Sequence, residues 1–326
     1  FFKKYNNINY TSKVDISNQV KKQIILAKKF SKKDLDTQII YSAFSRFLPE
    51  EIINDLLIKD SEKDLMTGEN RSIVALFSHI RNFDYIMDNN NPDAIVNFLN
   101  QHFTNMVKII KKYGGSVDKF IGDAVYAIFG APISYIDNSV RAAKAAVEMI
   151  NEYQNIDFSE INLPSSGFSI GVGLNEGPAI IGNIGCSDKF DYTAIGDTIN
   201  LAARLESLTK HYKTPILISE KVKNHLDKEY TTRIVDIARV KGKSEPTKIY
   251  SLEIDSDKFS EQWFDAYRKG VKMYCIGNWH TAINYFEKAD NIIKQDFPTN
   301  QFIGRCKNYA ENPPINWDGS STLDFK

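Results

Sequence analysis

The chain has 326 residues, with 41 Lys plus Arg against 41 Asp plus Glu, so no global charge favours a nucleic-acid or membrane surface. Apolar residues make up 42% and charged residues 25%, the balance of a soluble globular protein with room for one large domain plus appendages, or two domains. Cys186, Cys275 and Cys306 lack metal or redox spacing, and no apolar run approaches the ~18 residues that a membrane helix needs. Three sparse cysteines suit a reducing cytosol. The chain begins at Phe1 rather than Met, so a fragment of a longer protein is expected. The expected setting is the cytoplasm, with a membrane involved only through an upstream region.

Residues 1–68 are expected to be a charged helical segment. Val20, Ile24, Ala27 and Phe30 recur at helical spacing, as do Ile40, Phe44 and Phe47. Pro49 before Glu50 and Glu51 suits the first turn of a further helix. Residues 69–254 alternate strands and helices. The spacing predicts a strand over 72–80 and a helix over 92–113 with Ile95, Phe98, Leu99, Phe103, Val107 and Ile110 on one side. Gly114 and Gly115 end that helix. "SVDKFIGDAVYAIFG" predicts two short strands around Gly122 and Asp123. An Ala-rich helix follows over 138–153. "GFSIGVGLNEGPAIIGNIG" is expected to be a second pair of strands. Asp197 is expected to cap a helix over 198–208. "TPILIS" and "IYSLEI" are late strands. This order predicts a mixed sheet covered by helices on one face.

Residues 255–326 are expected to be a helical appendage and tail. Gly270, Ala282, Phe286 and Ala289 fall at the small and aromatic positions of a tetratricopeptide (TPR) helix pair. One such unit cannot bury its own face, so docking on the preceding domain is expected. The tail "NPPINWDGSSTLDFK" is expected to lie as an extended strap pinned by Trp317.

Taken singly, the chemistry-bearing residues are ambiguous. Asp123 at a hairpin tip is ordinary turn chemistry or a cation ligand. Lys119, on an otherwise apolar strand, snorkels to solvent or meets an acceptor. Asn200 and Arg204, at i and i+4 near a helix N-terminus, are a surface pair or a sugar-and-phosphate pair. Lys241 stands before a glycine on a loop that feeds the last strand.

Together, "LFSHIRNF", "GGSVDKFIGDAVYAIFGAP", "GPAIIGNIG", "YTAIGDTINLAARLE" and "VKGKSEPTKIYSL" resemble, in order, the motifs of the class III nucleotide cyclase catalytic domain from about Arg71 to Glu253. The resemblance implies an α+β, ferredoxin-like core flanked by N-terminal helices and the C-terminal TPR-like appendage. It implies a homodimer with two active sites, each built from both chains. The activity implied is adenylate cyclase, converting ATP to cyclic AMP and pyrophosphate with two Mg²⁺ or Mn²⁺ ions. By position, residue 79 and Asp123 correspond to the metal-binding pair, assisted by the Ile80 carbonyl. Lys119 and Thr193 correspond to an adenine-reading pair. Asn200 corresponds to the ribose-orienting residue, Arg204 to the residue that stabilises the transition state, and Lys241 to the holder of the terminal phosphates.

Residue 79 departs from that pattern: histidine stands where the family has aspartate. A neutral imidazole offers one lone pair and no charge, so it cannot bridge two cations as a carboxylate does. The resemblance therefore leaves two functions open. One is a cyclase weakened at one metal position. The other is an ATP-binding regulatory module, or one half of a heterodimer whose partner supplies intact metal residues. Asp84 also departs, where threonine is frequent in the family; the ordinary reading is a first-turn helix residue.

Overall fold

The computed structural model describes residues 68–152, 158–186, 189–227, 230–239 and 245–322. The helical segment expected over 1–68 lies outside the described residues except for Gly68, which opens a strand, and the expected position of Lys241 also lies outside them.

Strand β1 (Gly68–Ile80) leads into the short helix α1 (Phe83–Asn89) and the long helix α2 (Pro92–Lys112). Asn91 caps α2 by accepting from the Ala94 N–H, and Pro92 fills its first turn. Strands β2 (Ser116–Ile121) and β3 (Ala124–Phe129) form a hairpin, followed by α3 (Asn138–Glu152) and β4 (Ile170–Cys186). The sheet order is β2-β3-β1-β4, with each of these neighbours antiparallel. That is the split βαβ arrangement of a ferredoxin-like core. Strand β5 (Lys189–Ile195) pairs with the far half of β4. Helix α4 (Asp197–Tyr212), β6 (Ile216–Ser219), α5 (Glu220–His225), β7 (Thr232–Arg239) and β8 (Thr247–Leu252) extend the sheet in the order β4-β6-β8-β7.

Three sequence expectations are corrected. "GFSIGVGLNEGPAIIGNIG" yields one 17-residue strand rather than two, because β1 pairs with β4 without a break from Ile170 to Gly182. That pairing holds the Asn175-Glu176-Gly177 stretch extended. Asp197 is the first residue of α4 and not its cap; Gly196 occupies the cap position, with no side-chain bond. Helices also cover both faces of the sheet. Along β1, Val74 and Leu76 pack with residues of α2 and α3, while Ile73 and Ala75 pack in a separate cluster that includes Ala202 of α4. The strand period of two thus feeds two cores. The fit of α4 requires Gly173, where an added Cβ would stand 2.3 Å from the Glu206 nitrogen and 2.4 Å from the Ala202 oxygen.

After β8, helices α6 (Glu261–Cys275), α7 (Trp279–Ile292) and α8 (Phe297–Glu311) build a second apolar centre from Trp263, Tyr267, Phe286 and Phe302. Helices α6 and α7 pack against each other, with the Phe286 ring seated against Gly270. These helices share one compact unit with the sheet. Trp317 donates to the carbonyls of Tyr274 and Cys275, and the tail ends as β9 (Ser321–Thr322), parallel to β7.

Candidate active site

His79 and Asp123 meet because β1 and β3 are neighbours and the β2–β3 turn ends on Asp123. Ser78 is opposite Val125, so His79 stands at the sheet rim beside the hairpin tip. The His79 Nε2 lies 3.1 Å from both carboxylate oxygens of Asp123, which is itself buried. On its other side, His79 Nδ1 is 3.9 Å from Glu206, and Arg81 pairs with Glu206 at 3.2 Å. The hydrogen bond to Asp123 raises the His79 pKa against the opposing effect of burial, with Glu206 adding to the rise. Burial pushes the Glu206 carboxyl up, and Arg81 and His79 pull it back. Ile80 closes β1 opposite Ile170 and is buried.

The donor set decides what cation fits. Asp123 Oδ2 completes no hydrogen bond of good geometry, which leaves a buried acceptor at the hairpin tip. A buried carboxylate oxygen of this kind suits one hard cation. A second, carboxylate-bridged cation does not fit, because residue 79 supplies a nitrogen already seated on Asp123. Among the described residues no group of three or more His, Cys, Asp or Glu side chains is arranged to hold a metal.

Lys119 and Thr193 are also brought together. The β2–β3 register shifts between Val117 and Lys119, which makes Asp118 an extra, bulged residue. Lys119 Nζ lies 3.3 Å from Asp118 and 3.7 Å from Asp191 of β5. Thr193, two residues further along β5, is buried. Burial raises the Asp118 pKa, and the Thr193 hydroxyl and Lys119 act against it.

Asn200 and Arg204 sit on the first turns of α4, and both are exposed. Glu206, which faces His79, lies two residues beyond Arg204, or about 200° around the helix. The pair therefore points away from the His79–Asp123 rim of its own chain.

Sequence reasoning missed Glu206, Arg81 and Asp118. Glu206 and Asp118 stand in the quoted motifs beside singled-out residues, but burial and pairing across distant strands carry no local signal.

A family model described as the adenylate and guanylate cyclase catalytic domain matches residues 66–254. The terminal-differentiation-specific adenylate cyclase of Dictyostelium discoideum is 34% identical over 282 residues, 82% of this chain and 13% of that protein. An adenylate cyclase of Anabaena cylindrica is 32% identical over 229 residues, 68% of this chain and 44% of that protein. The chain thus spans less than half the length of either relative. Among solved structures, the adenylyl cyclase CyaB from P. aeruginosa aligns with TM-score 0.53 and 31% identity, covering 58% of this chain and 96% of that one. The guanylyl cyclase Cya2 aligns with TM-score 0.50 and 30% identity, over 57% of this chain and 94% of that one.

Proposed function

This chain belongs to the adenylate and guanylate cyclase catalytic-domain family, and we propose that it converts ATP to 3′,5′-cyclic AMP and pyrophosphate in clefts shared by two copies of itself. The observation that carries the shared cleft is the turn of α4, which faces Asn200 and Arg204 outward while Glu206 faces the His79–Asp123 rim. Asp123 of one copy then meets Asn200 and Arg204 of the other. Exposed Phe120, Ile121, Ile180 and Ile195 supply apolar surface for that meeting.

In this reading the purine lies against Lys119 and Thr193. Lysine donates to adenine N1, and threonine accepts from the 6-amino group. Asn200 orients the ribose so that the 3′-oxygen lies in line with the α-phosphorus and the leaving pyrophosphate. Arg204 meets charge building on the α-phosphoryl oxygens, where losing such a donor typically costs ~3–4 kcal/mol of barrier. Lys241 holds the terminal phosphates. Asp123 and the Ile80 carbonyl would hold Mg²⁺ or Mn²⁺, and divalent ions when bound neutralise the triphosphate and lower the pKa of the 3′-hydroxyl. His79 weakens the position that needs a second carboxylate, and magnesium suffers more than manganese because manganese better accepts nitrogen.

The first test is cyclic AMP formation by the chain and by its His79→Asp variant, in magnesium and in manganese. The expected gain is at least tenfold, about 1.4 kcal/mol of barrier. Equal rates in both metals contradict the assignment of His79. The seating of His79 on Asp123 favours a second reading: an ATP-binding regulatory module, or half of a heterodimer. Cyclic AMP from the Asp variant alone supports it.

The remaining assignments belong to the same proposal. Residues 1–68 serve as a signalling linker, 69–254 as the catalytic domain, and 255–326 as a TPR-like appendage. Its setting is the cytoplasm. No helix among the described residues is long and apolar enough to cross a membrane.

A further inference from the structure

Beside Lys119 and Thr193 lies a carboxylate that these roles leave unused. Asp118 is the extra residue of the β2 bulge, and its side chain has 0% exposure. A bulge re-aims side chains, and here Asp118 meets the ammonium of its own neighbour Lys119 at 3.3 Å. Neither Asp118 oxygen completes a hydrogen bond of good geometry. The donors that face the carboxylate are the Thr193 hydroxyl, the Lys119 ammonium and the Ala194 backbone N–H, each favouring its charged form. Buried acceptors left in this way carry a desolvation penalty, so the carboxylate draws donor hydrogens toward itself.

Hydrogen-bond chemistry gives that pull a consequence. An ionised carboxylate only accepts, whereas a threonine hydroxyl has one hydrogen and two lone pairs. Once the Thr193 hydrogen is turned toward Asp118, only lone pairs remain for a base. Adenine presents a donor amino group at position 6, and guanine an acceptor carbonyl. A Thr193 oriented in this way accepts from adenine and repels guanine. The same carboxylate tethers the Lys119 ammonium, which also faces Asp191 at 3.7 Å and keeps a third hydrogen for the acceptor N1 of adenine. Guanine carries a hydrogen at that position.

We propose that Asp118 is a specificity-determining residue, which sets the Thr193 hydroxyl as an acceptor and anchors Lys119 so that the pocket takes adenine and rejects guanine. This deepens the adenine-reading assignment of Lys119 and Thr193 and rests on it. Asparagine at 118 keeps the shape but carries an amide that donates. It would turn the Thr193 hydrogen outward, toward guanine.

The test is the ratio of ATP to GTP affinity in the full chain, by titration calorimetry with Mn²⁺, for the parent, Asp118→Asn and the double exchange Lys119→Glu, Thr193→Cys. The expectation is that Asp118→Asn lowers the ATP preference at least tenfold, with GTP binding more tightly and ATP less so. A merely structural role would weaken both nucleotides alike and leave the ratio unmoved. A ratio unchanged in Asp118→Asn but altered in the double exchange overturns the role of Asp118 alone. A ratio unchanged in both overturns the adenine-reading assignment, and this inference with it. Should Asp118→Asn fail to fold, Asp118→Ser, whose hydroxyl also donates, carries the same expectation.

Discussion

Two histidines with opposite surroundings show how far environment governs a single side chain. His79 is half-exposed and held between Asp123 and Glu206, where the carboxylates favour its charged form. His102 is buried in α2 against Phe98, Phe103 and Phe168, and burial pushes its pKa down to about 4. The sign of its contribution follows directly. Above the unfolded value near 6.5 both states hold a neutral ring, and the folded state loses nothing. As pH falls from about 6.5 toward 4, the unfolded chain takes up the proton first, so stability drops, by up to roughly 3 kcal/mol. Denaturation midpoints between pH 7 and 4.5 should fall, and His102→Phe should flatten that fall; an equally steep fall in the variant refutes the assignment. Asp123, Lys119, Thr193, Asn200 and Arg204 could be singled out in the sequence as candidates because each sits inside a motif that fixes its neighbours. Asp118 and Glu206 could not, because their importance comes from burial and from partners on distant segments. The same holds for the tie between His79 and Glu206, 127 positions apart along the chain.

At the scale of elements, α4 joins the two halves of the compact unit. Its first turns carry Asn200 and Arg204, and its last residue, Tyr212, donates to Asp236 of β7 at 2.5 Å. Asp236 is fully buried and accepts a two-pronged bond from Arg305 of α8 at 2.6 and 2.8 Å. Nearby, Gln301 of α8 lies 2.7 Å from His211. Arg233 of β7 likewise pairs with Asp296 and Glu253. The C-terminal helices are therefore fastened to the sheet and to α4 by buried charge pairs as well as apolar contact. Removing one partner of such a pair leaves an uncompensated buried charge. Arg305→Met should cost about 3–5 kcal/mol in denaturant unfolding, and adding Asp236→Leu should recover much of it. A loss below ~1 kcal/mol would mean that Tyr212, Ser321 and the Ile237 N–H satisfy Asp236 without Arg305. The helical character of α6 and α7 was legible in the spacing of their apolar residues. Strands β5 and β7 were not, since their short runs mix polar and apolar residues and owe their extension to β4 and β8. The 17 residues of β4 were misread as two strands for the related reason that pairing with β1 overrides a local turn signal.

At the scale of the whole molecule, the proposed reading has one chain hold the parts of a reaction centre without assembling them. The rim formed by His79 and Asp123 and the helix face formed by Asn200 and Arg204 point in different directions, so in that reading convergence takes a second copy. Apolar side chains left exposed at Ile180 and Ile195, register partners on the β4–β5 hairpin, fit such an interface. The arrangement has a consequence for mixtures. A chain lacking Asp123 and a chain lacking Arg204 each spoil both sites of their own dimer, yet a mixed dimer retains one intact site. The most direct measurement is therefore cyclic AMP formation by equimolar Asp123→Asn and Arg204→Ala chains, co-refolded in a His79→Asp background, beside each alone. Random pairing makes half the dimers mixed, so the account predicts near-silent single variants and a mixture at about a quarter of the parent rate. A mixture no more active than its components, with exchange of subunits demonstrated, would contradict it.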